Sequence, residues 1–557
     1  MRDAFPNLSA LRVTSVPPKD PLPHDLPMKL PSCWGRAICA AQMVALLAAA
    51  VGLRAWKLDS LPGINGDEGW YGVQAMRVVA GEPVVWHTPT GNFVNPLFFG
   101  PLVLLHLWLP PGFGLLRVVP LVSGVAALVV NYLLCSRTFD KRTALISTAI
   151  LAVLPVNIAY SRFAWDASQS LLVTLFVVYL PLLAVNDPRR SIVPSLVALA
   201  AAVIVHPTNL FAAPCVVVAL AWRGRARLRG WLDKFQARWT SLAKWTFFWA
   251  LIAITSVCGL VVPDIGRRLV DPAQAGIFIR RWIELLSGST VYSFIAGVNP
   301  SDRVDWSSAW HHPLLLDGVT AAVVLVSLWG LYRLLRQCRP ALDVCVAVGW
   351  LTSTAGFYVV AGPGALTPHF ERYGICLVAP AVVVISRGLA WWLRQPGWRR
   401  TAVITVGPVL CWLTLCSFYV NYFGVIERTG GLSHRTFRTA NVEPKLQALQ
   451  YVLEGRPPGE PVVIFTQQWW NRWPLEYLAM GQTDVTVKSW AELTPNARSR
   501  FDGQTWFVEF ADSVEDQQVV DSLLAAGIVA ERHVIFDYNR HALLTLTRPT
   551  TQILQNH

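Results

Sequence analysis

Long apolar runs separated by short basic connections set the pattern of this chain. Runs of about 18 or more apolar residues read as membrane-crossing helices. Here they fall near residues 37–54, 115–135, 143–160, 169–185, 192–206, 207–222, 244–262, 314–334, 341–360, 374–393 and 401–423. The pattern therefore predicts about eleven spans. Basic residues crowd into alternate connections: Arg137, Lys141 and Arg142; Arg189 and Arg190; Arg223, Arg225, Arg227 and Arg229 with Lys234, Arg238 and Lys244; Arg333, Arg336 and Arg339; Arg394, Arg399 and Arg400. Placed on the cytoplasmic side, they alternate with the spans without conflict. The N-terminus is then inside and the C-terminus outside. One apolar run, 96–110, would break that alternation. It is about fifteen residues long and runs into Pro110-Pro111, which suits a re-entrant or interfacial segment.

That assignment leaves one long outer loop, 55–114. It should hold a helix from Glu68 to about Val79, turns at Gly81-Glu82-Pro83 and Thr90-Gly91-Asn92, and then the interfacial segment. A further, large outer loop covers 263–313. There Ile277, Phe278, Trp282, Ile283 and Leu286 make an apolar face at helical spacing, interrupted by Arg280, Arg281 and Glu284. The pattern predicts an amphipathic helix lying on the membrane. Past residue 424 the apolar runs shorten to strand length. Strands are expected at 461–465, 485–488 and 505–510, with helices near 443–454, 471–479 and 515–526. A terminal hairpin is expected from 528–536 and 541–547.

The expected architecture is a polytopic α-helical membrane protein, spans within 34–423, with a C-terminal soluble α/β domain over 424–557. Residues 1–33 carry Pro6, Pro17, Pro18, Pro21, Pro23, Pro27 and Pro31 and read as a disordered cytoplasmic segment.

Composition changes this picture little. Of 557 residues, 54% are hydrophobic and only 15% charged, as a membrane chain requires. The net charge of +13 would suggest nucleic acid in a soluble protein. Here the charges sit in short connections, and no basic patch interleaves with aromatics in a soluble segment, so nucleic-acid binding is set aside. None of the ten cysteines lies between residues 424 and 557, and no CxxC pair occurs. Neither a structural disulfide nor a thiolate metal site is expected.

Three stretches could carry chemistry. The first is Asn65-Gly66-Asp67-Glu68-Gly69-Trp70-Tyr71, with two adjacent carboxylates just after the first span. Acids beside a hydrophobic slab are costly and tend to be functional. They could equally sit at a helix N-terminus, offsetting its dipole, and the two readings are compatible. The second is Ser161-Arg162-Phe163-Ala164-Trp165-Asp166, which puts Asp166 on the same outer face with Arg162 as partner. Two acids from separate loops can divide labour, one deprotonating an acceptor and one orienting it or a metal. The third is His369-Phe370-Glu371-Arg372-Tyr373, whose guanidinium suits a phosphate clamp or snorkelling to headgroups. Arg280 and Arg281 are alternative phosphate contacts. Trp70, Tyr71 and Trp165 could stack on a sugar or anchor the interface. His206-Pro207 could face the cavity or simply break a helix. His311-His312 lacks a third ligand at suitable spacing.

An acidic pair in the first outer loop, a Ser-Arg…Asp element in the next, and an Arg-Tyr leading into an apolar helix with Pro380 together resemble the GT-C superfamily of membrane glycosyltransferases. Within it, the match is with the protein O-mannosyltransferase and aminoarabinose transferase group. The resemblance is best over 50–180 and around 369–390. It implies a polyprenyl-phosphate-linked monosaccharide as donor and inversion at the anomeric carbon. It implies Asp67 as the base with Glu68 beside it, Asp166 as the second-loop acid, and Arg372 with Tyr373 near the lipid phosphate. A divalent metal is allowed but not required. The acceptor, whether protein, lipid or polysaccharide, is left open, and membrane lipid is the other partner. The site would lie on the outer face of a cytoplasmic (inner) membrane. The chain departs from the group at Asn95-Pro96-Leu97-Phe98, where relatives often carry Pro-Pro-Leu followed by lysine. It also lacks a Trp-Trp-Asp pentapeptide, Trp469-Trp470-Asn471 being only superficially similar. The rival readings are a transporter or flippase of a lipid-linked sugar, and an inactive membrane scaffold.

Overall fold

The computed structural model describes residues 33–89, 91–187, 189–225, 263–298, 309–338, 341–429, 443–456, 459–490, 504–537 and 540–553. The proline-rich start, the expected span at 244–262 and the basic residues Arg227, Arg229, Lys234, Arg238, Lys244 and Arg339 lie outside these. The chain divides into two compact units, 1–45 and 46–557, and the features below belong to the second.

Among the described residues, six helices are long and apolar enough to cross a membrane: Val118–Thr138, Asp166–Asn186, Pro313–Gln337, Ala341–Val360, Glu371–Arg394 and Trp398–Arg428. Ala40–Ala55, Pro96–His106 and Val193–Val205 are shorter apolar helices. One expected span is broken and a neighbouring pair is parted at its expected boundary, each for an identifiable reason. The run 143–160 divides into Lys141–Val153 and Pro155–Tyr160. Pro155 cannot supply the N–H that would continue the ladder, and it starts the second piece at its first position. The pair 192–206 and 207–222 is parted at His206-Pro207, where His206 is extended and a short helical turn leads into Ala213–Arg223.

The expected surface helix also differs. Pro272–Ser287 forms, but Phe278, Trp282, Leu285 and Leu286 are buried in protein rather than offered to lipid. Trp282 meets Trp350 at 5.9 Å and Phe278 meets Tyr358 at 5.2 Å between ring centroids. An amphipathic face fits a groove between helices as well as it fits a bilayer, and here rings of the Ala341–Val360 helix meet its apolar side.

The C-terminal strands are β1 (Val462–Phe465), β2 (Val485–Lys488), β3 (Thr505–Phe510), β4 (Ile528–Phe536) and β5 (Ala542–Ile553). They form one sheet in the order β2-β1-β3-β5-β4. β1 pairs in parallel with β2 and β3, and β5 runs antiparallel between β3 and β4. Helix Trp469–Ala479, between β1 and β2, packs one face on the sheet through Leu475 and Ala479. Its other face lies on helix Gly66–Val79, far away in sequence.

That contact explains three glycines. A Cβ at Gly66 would overlap the indole edge of Trp469, one at Gly69 the backbone of Trp473 and Pro474, and one at Gly72 the ring of Tyr477. Spacings of three residues place all three on one side of the helix, and only hydrogen there lets the two helices close. Arg77 locks the far end on Glu476 at 2.6 Å, and the Tyr477 hydroxyl bonds His106 and accepts from the Gly112 N–H, both at 2.9 Å.

One buried acid of the sheet makes a prediction of its own. Glu509 on β3 is 1% exposed and accepts the Gln467 N–H at 2.7 Å. Burial pushes its carboxyl up to about 8, with Glu515 and Asp516 adding repulsion against the Gln467 and Gln468 N–H groups. The folded state therefore holds a proton that the unfolded chain releases in the ordinary carboxylate range. Stability from this residue is full at acid pH and is lost as pH rises toward about 8. Glu509→Gln should flatten that dependence and stabilise the sheet at the alkaline end by a few kcal/mol, on the order the displacement implies. Hydrogen exchange of β3 amides across pH measures it, and an unchanged pH dependence would contradict the assignment.

Candidate active site

The two adjacent acids of the first outer loop part company in three dimensions. Helix Gly66–Val79 starts at Asn65, whose side chain accepts the Glu68 N–H at 3.0 Å while Glu68 reaches back to the Asn65 N–H at 3.2 Å. This reciprocal capping box turns Glu68 inward. Arg117 grips both of its oxygens at 2.8 Å, and the Ala164 N–H donates at 3.0 Å. The pair is 0–1% exposed. Arg117 also donates to the carbonyls of Leu58, Pro62 and Gly63. Glu68 thus ties the entering loop, the helix start and the second outer loop together. The catalytic role expected for it gives way to this one, because both of its oxygens are already taken.

Asp67, about 100° around the helix, is half-buried and points elsewhere. Burial pushes its carboxyl up to about 6, with Asp166 and Glu68 adding repulsion. The Arg372 guanidinium and a hydrogen bond from the Trp469 side chain pull the other way. The neighbours named by these interactions come from four parts of the chain: the first outer loop, the second, the start of the Glu371–Arg394 helix, and the C-terminal segment. Tyr71 lies against the same acids. Burial, then Asp166 and Asp67, hold its phenol well above the ordinary range.

Asp166 is half-buried and accepts the N–H of the next residue, Ala167, at 2.7 Å. Its expected partner is not there. Arg162 is fully buried and spends its guanidinium on the carbonyls of Leu53, Arg54, Lys57 and Leu61, at 2.7–3.3 Å. It sits over the Phe423 ring at 4.7 Å. Carbonyls at a helix C-terminus carry partial negative charge, so a buried cation is at home there. Arg162 is a clamp for the end of the first helix, and among the described residues it forms no ion pair with Asp166.

Arg372 stays half-exposed between two rings, 5.1 Å from Trp165 and 5.0 Å from Tyr373. Its hydrogen bonds are weak, to the His369 carbonyl at 3.3 Å and the Tyr373 hydroxyl at 3.4 Å. Among the described residues no carboxylate forms an ion pair with it. Trp165 is fixed by its N–H to Asn65 Oδ1 at 3.2 Å, so the residue that caps the acid helix also seats the ring under Arg372. Neighbouring Glu371 is buried and takes the Tyr160 hydroxyl at 3.1 Å.

His206 joins this group through the break in the fifth apolar run. Its ring lies 5.7 Å from that of Tyr373, and it senses Asp166 and Arg372. Burial, reinforced by Arg372 and opposed by Asp166, lowers its basicity. The Thr208 N–H can only donate and points at Nδ1, at 3.3 Å. Nδ1 also lies 2.7 Å from the Thr208 hydroxyl.

Of the remaining expected contacts, Trp70 is core, packed with Trp473 and Phe98. Arg280 and Arg281 share Glu284 on their own helix, at 3.5 and 2.8 Å, and no described interaction links them to Asp67 or Asp166. Trp469 is the residue that sequence reasoning missed. Among the described residues no three His, Cys, Asp or Glu side chains cluster to hold a metal ion.

No family model matches the chain, and no curated protein does. Solved structures similar to it include ArnT from Cupriavidus metallidurans bound to undecaprenyl phosphate, with 13% identity, 92% of this chain and 98% of that one covered, and a TM-score of 0.49. The archaeal oligosaccharyltransferase AglB from Archaeoglobus fulgidus, in complex with an inhibitory peptide and a dolichol-phosphate, follows at 13% identity, 86% and 70% coverage and a TM-score of 0.48. The arabinofuranosyltransferase AftD from Mycobacteria is similar over 92% of this chain and 41% of its own, at 15% identity and a TM-score of 0.42.

Proposed function

We propose that this protein moves a monosaccharide from a polyprenyl-phosphate carrier to an acceptor hydroxyl at the outer face of a cytoplasmic membrane, with Asp67 as general base. One observation carries the reading. A carboxylate held near 6 shares a half-open site with a second acid and with an arginine that has no ion-pair partner among the described residues.

The acceptor O–H gives its proton to the Asp67 carboxylate as its oxygen bonds the anomeric carbon. The bond from that carbon to the phosphate oxygen breaks, and its electron pair leaves on the lipid phosphate. Arg372 meets the charge growing there, in a site with little water to screen it. A general base works best when its pKa lies near the working pH, and burial brings Asp67 closer to that condition. Asp166 orients a hydroxyl of the acceptor or the sugar. The His206 ring meets a polar group of the ligand, and the Trp165 and Tyr373 rings flank Arg372.

Binding of the bare polyprenyl phosphate to protein in lipid nanodiscs tests the phosphate end of the site. Losing one charge-assisted contact is worth roughly 1.5–3 kcal/mol, so Arg372→Gln should weaken binding about 10- to 100-fold. Equal affinity in both proteins would remove Arg372 from the phosphate.

A further inference from the structure

We infer that Trp469, delivered by the C-terminal α/β segment, is a positioning residue of the site, its indole N–H holding the Asp67 carboxylate in place. The inference rests on the proposed reading for its consequence, and on packing for its geometry. The indole edge bearing Nε1 lies directly on Gly66, the residue before Asp67, where no Cβ could fit. Its helix is held in that place by contacts along its length. Trp473 and Pro474 sit on Gly69, Tyr477 sits on Gly72 and bonds His106, and Glu476 pairs with Arg77. The Trp469 and Trp473 rings meet edge to face at 5.7 Å, which fixes the indole plane. The donor is therefore presented beside Asp67 by a rigid element. A plain packing role would need only the ring. A neutral donor on a carboxylate favours its charged form, so this N–H adds to the larger pull of Arg372 against the burial that raises the Asp67 carboxyl. The C-terminal segment thus helps set the fraction of protein in which Asp67 is ionised.

The test titrates Asp67 itself in the full chain in lipid. The protonated-carboxyl infrared band that disappears in Asp67→Asn identifies it, and this readout does not depend on turnover. Trp469→Phe keeps a ring and removes the N–H, with Trp469→Met as a second donor-less variant should Phe disturb folding. The band should titrate about half a pH unit or more higher in either variant, the size expected for one lost hydrogen bond. Trp469→Gln, which restores an N–H without the ring, should bring it back toward wild type. The acid limb of transfer should move with the band. A band unmoved in a folded donor-less variant overturns the inference, even if its activity falls. Transfer that survives Asp67→Asn overturns the base assignment instead, and leaves the band titration to decide the role of Trp469.

Discussion

Asp67→Asn should lower turnover by about 100- to 10,000-fold, the usual contribution of a general base, while expression, thermal stability and polyprenyl phosphate binding stay near wild type. Asparagine keeps the shape and accepts the Trp469 N–H, but it cannot take the acceptor proton. Wild-type activity should fall as pH drops through about 6, because burial, Asp166 and Glu68 together hold the Asp67 proton to that value and only the ionised form is a base. The acid limb should be absent from whatever rate remains in the variant. Steady-state transfer rates across pH for both proteins give the comparison. An Asp67→Asn enzyme with the wild-type profile would move the base elsewhere.

The second large effect concerns the neighbouring acid, and it should be opposite in kind. Arg117→Met leaves Glu68 charged in a site that is 0% exposed. Stripping one partner from a buried ion pair costs about 3–5 kcal/mol, enough to loosen the entering loop, the helix start and the second outer loop together. Limited proteolysis and thermal melting should show this directly. Adding Glu68→Gln should recover part of the loss, because a neutral amide oxygen can still accept the Ala164 N–H. A double variant no more stable than Arg117→Met alone would mean that the pair is not the joint we take it to be. Two adjacent acids would then be separable by phenotype: one variant folded and inactive, the other disturbed in its fold.

Much of the scaffold could be read in advance because its signals are local. β2 and β3 fall where short apolar runs predict them, and the acid helix ends at Val79 as expected. The breaks at Pro155 and Pro207 were legible in principle, since proline forbids a continuous ladder, but run length alone joined the first pair. The site was legible in part. Asp67, Asp166 and Arg372 stand out in the sequence and act on one another's charge in the structure, and Arg372 lies over the Tyr373 ring. Glu68 and Arg162 were misplaced for one shared reason. A charged residue next to a candidate looks like part of the same chemistry, yet one step along a helix turns the side chain by about 100°, and a capping box or a set of carbonyls can claim it. Trp469 was out of reach, because its partner is hundreds of residues earlier. The available hint lay in Gly66, Gly69 and Gly72, whose even spacing marks a helix face that another backbone must approach.

The most direct test is label transfer by the purified protein in lipid, wild type beside Asp67→Asn. Both are offered a panel of polyprenyl-phosphate sugars with membrane extract as acceptor. We expect label to reach a protein, lipid or polymer with wild type alone. Equal transfer by both proteins would contradict the role of Asp67. Neither transfer nor donor hydrolysis from any sugar would contradict glycosyl transfer itself and favour a scaffold or a carrier of the lipid.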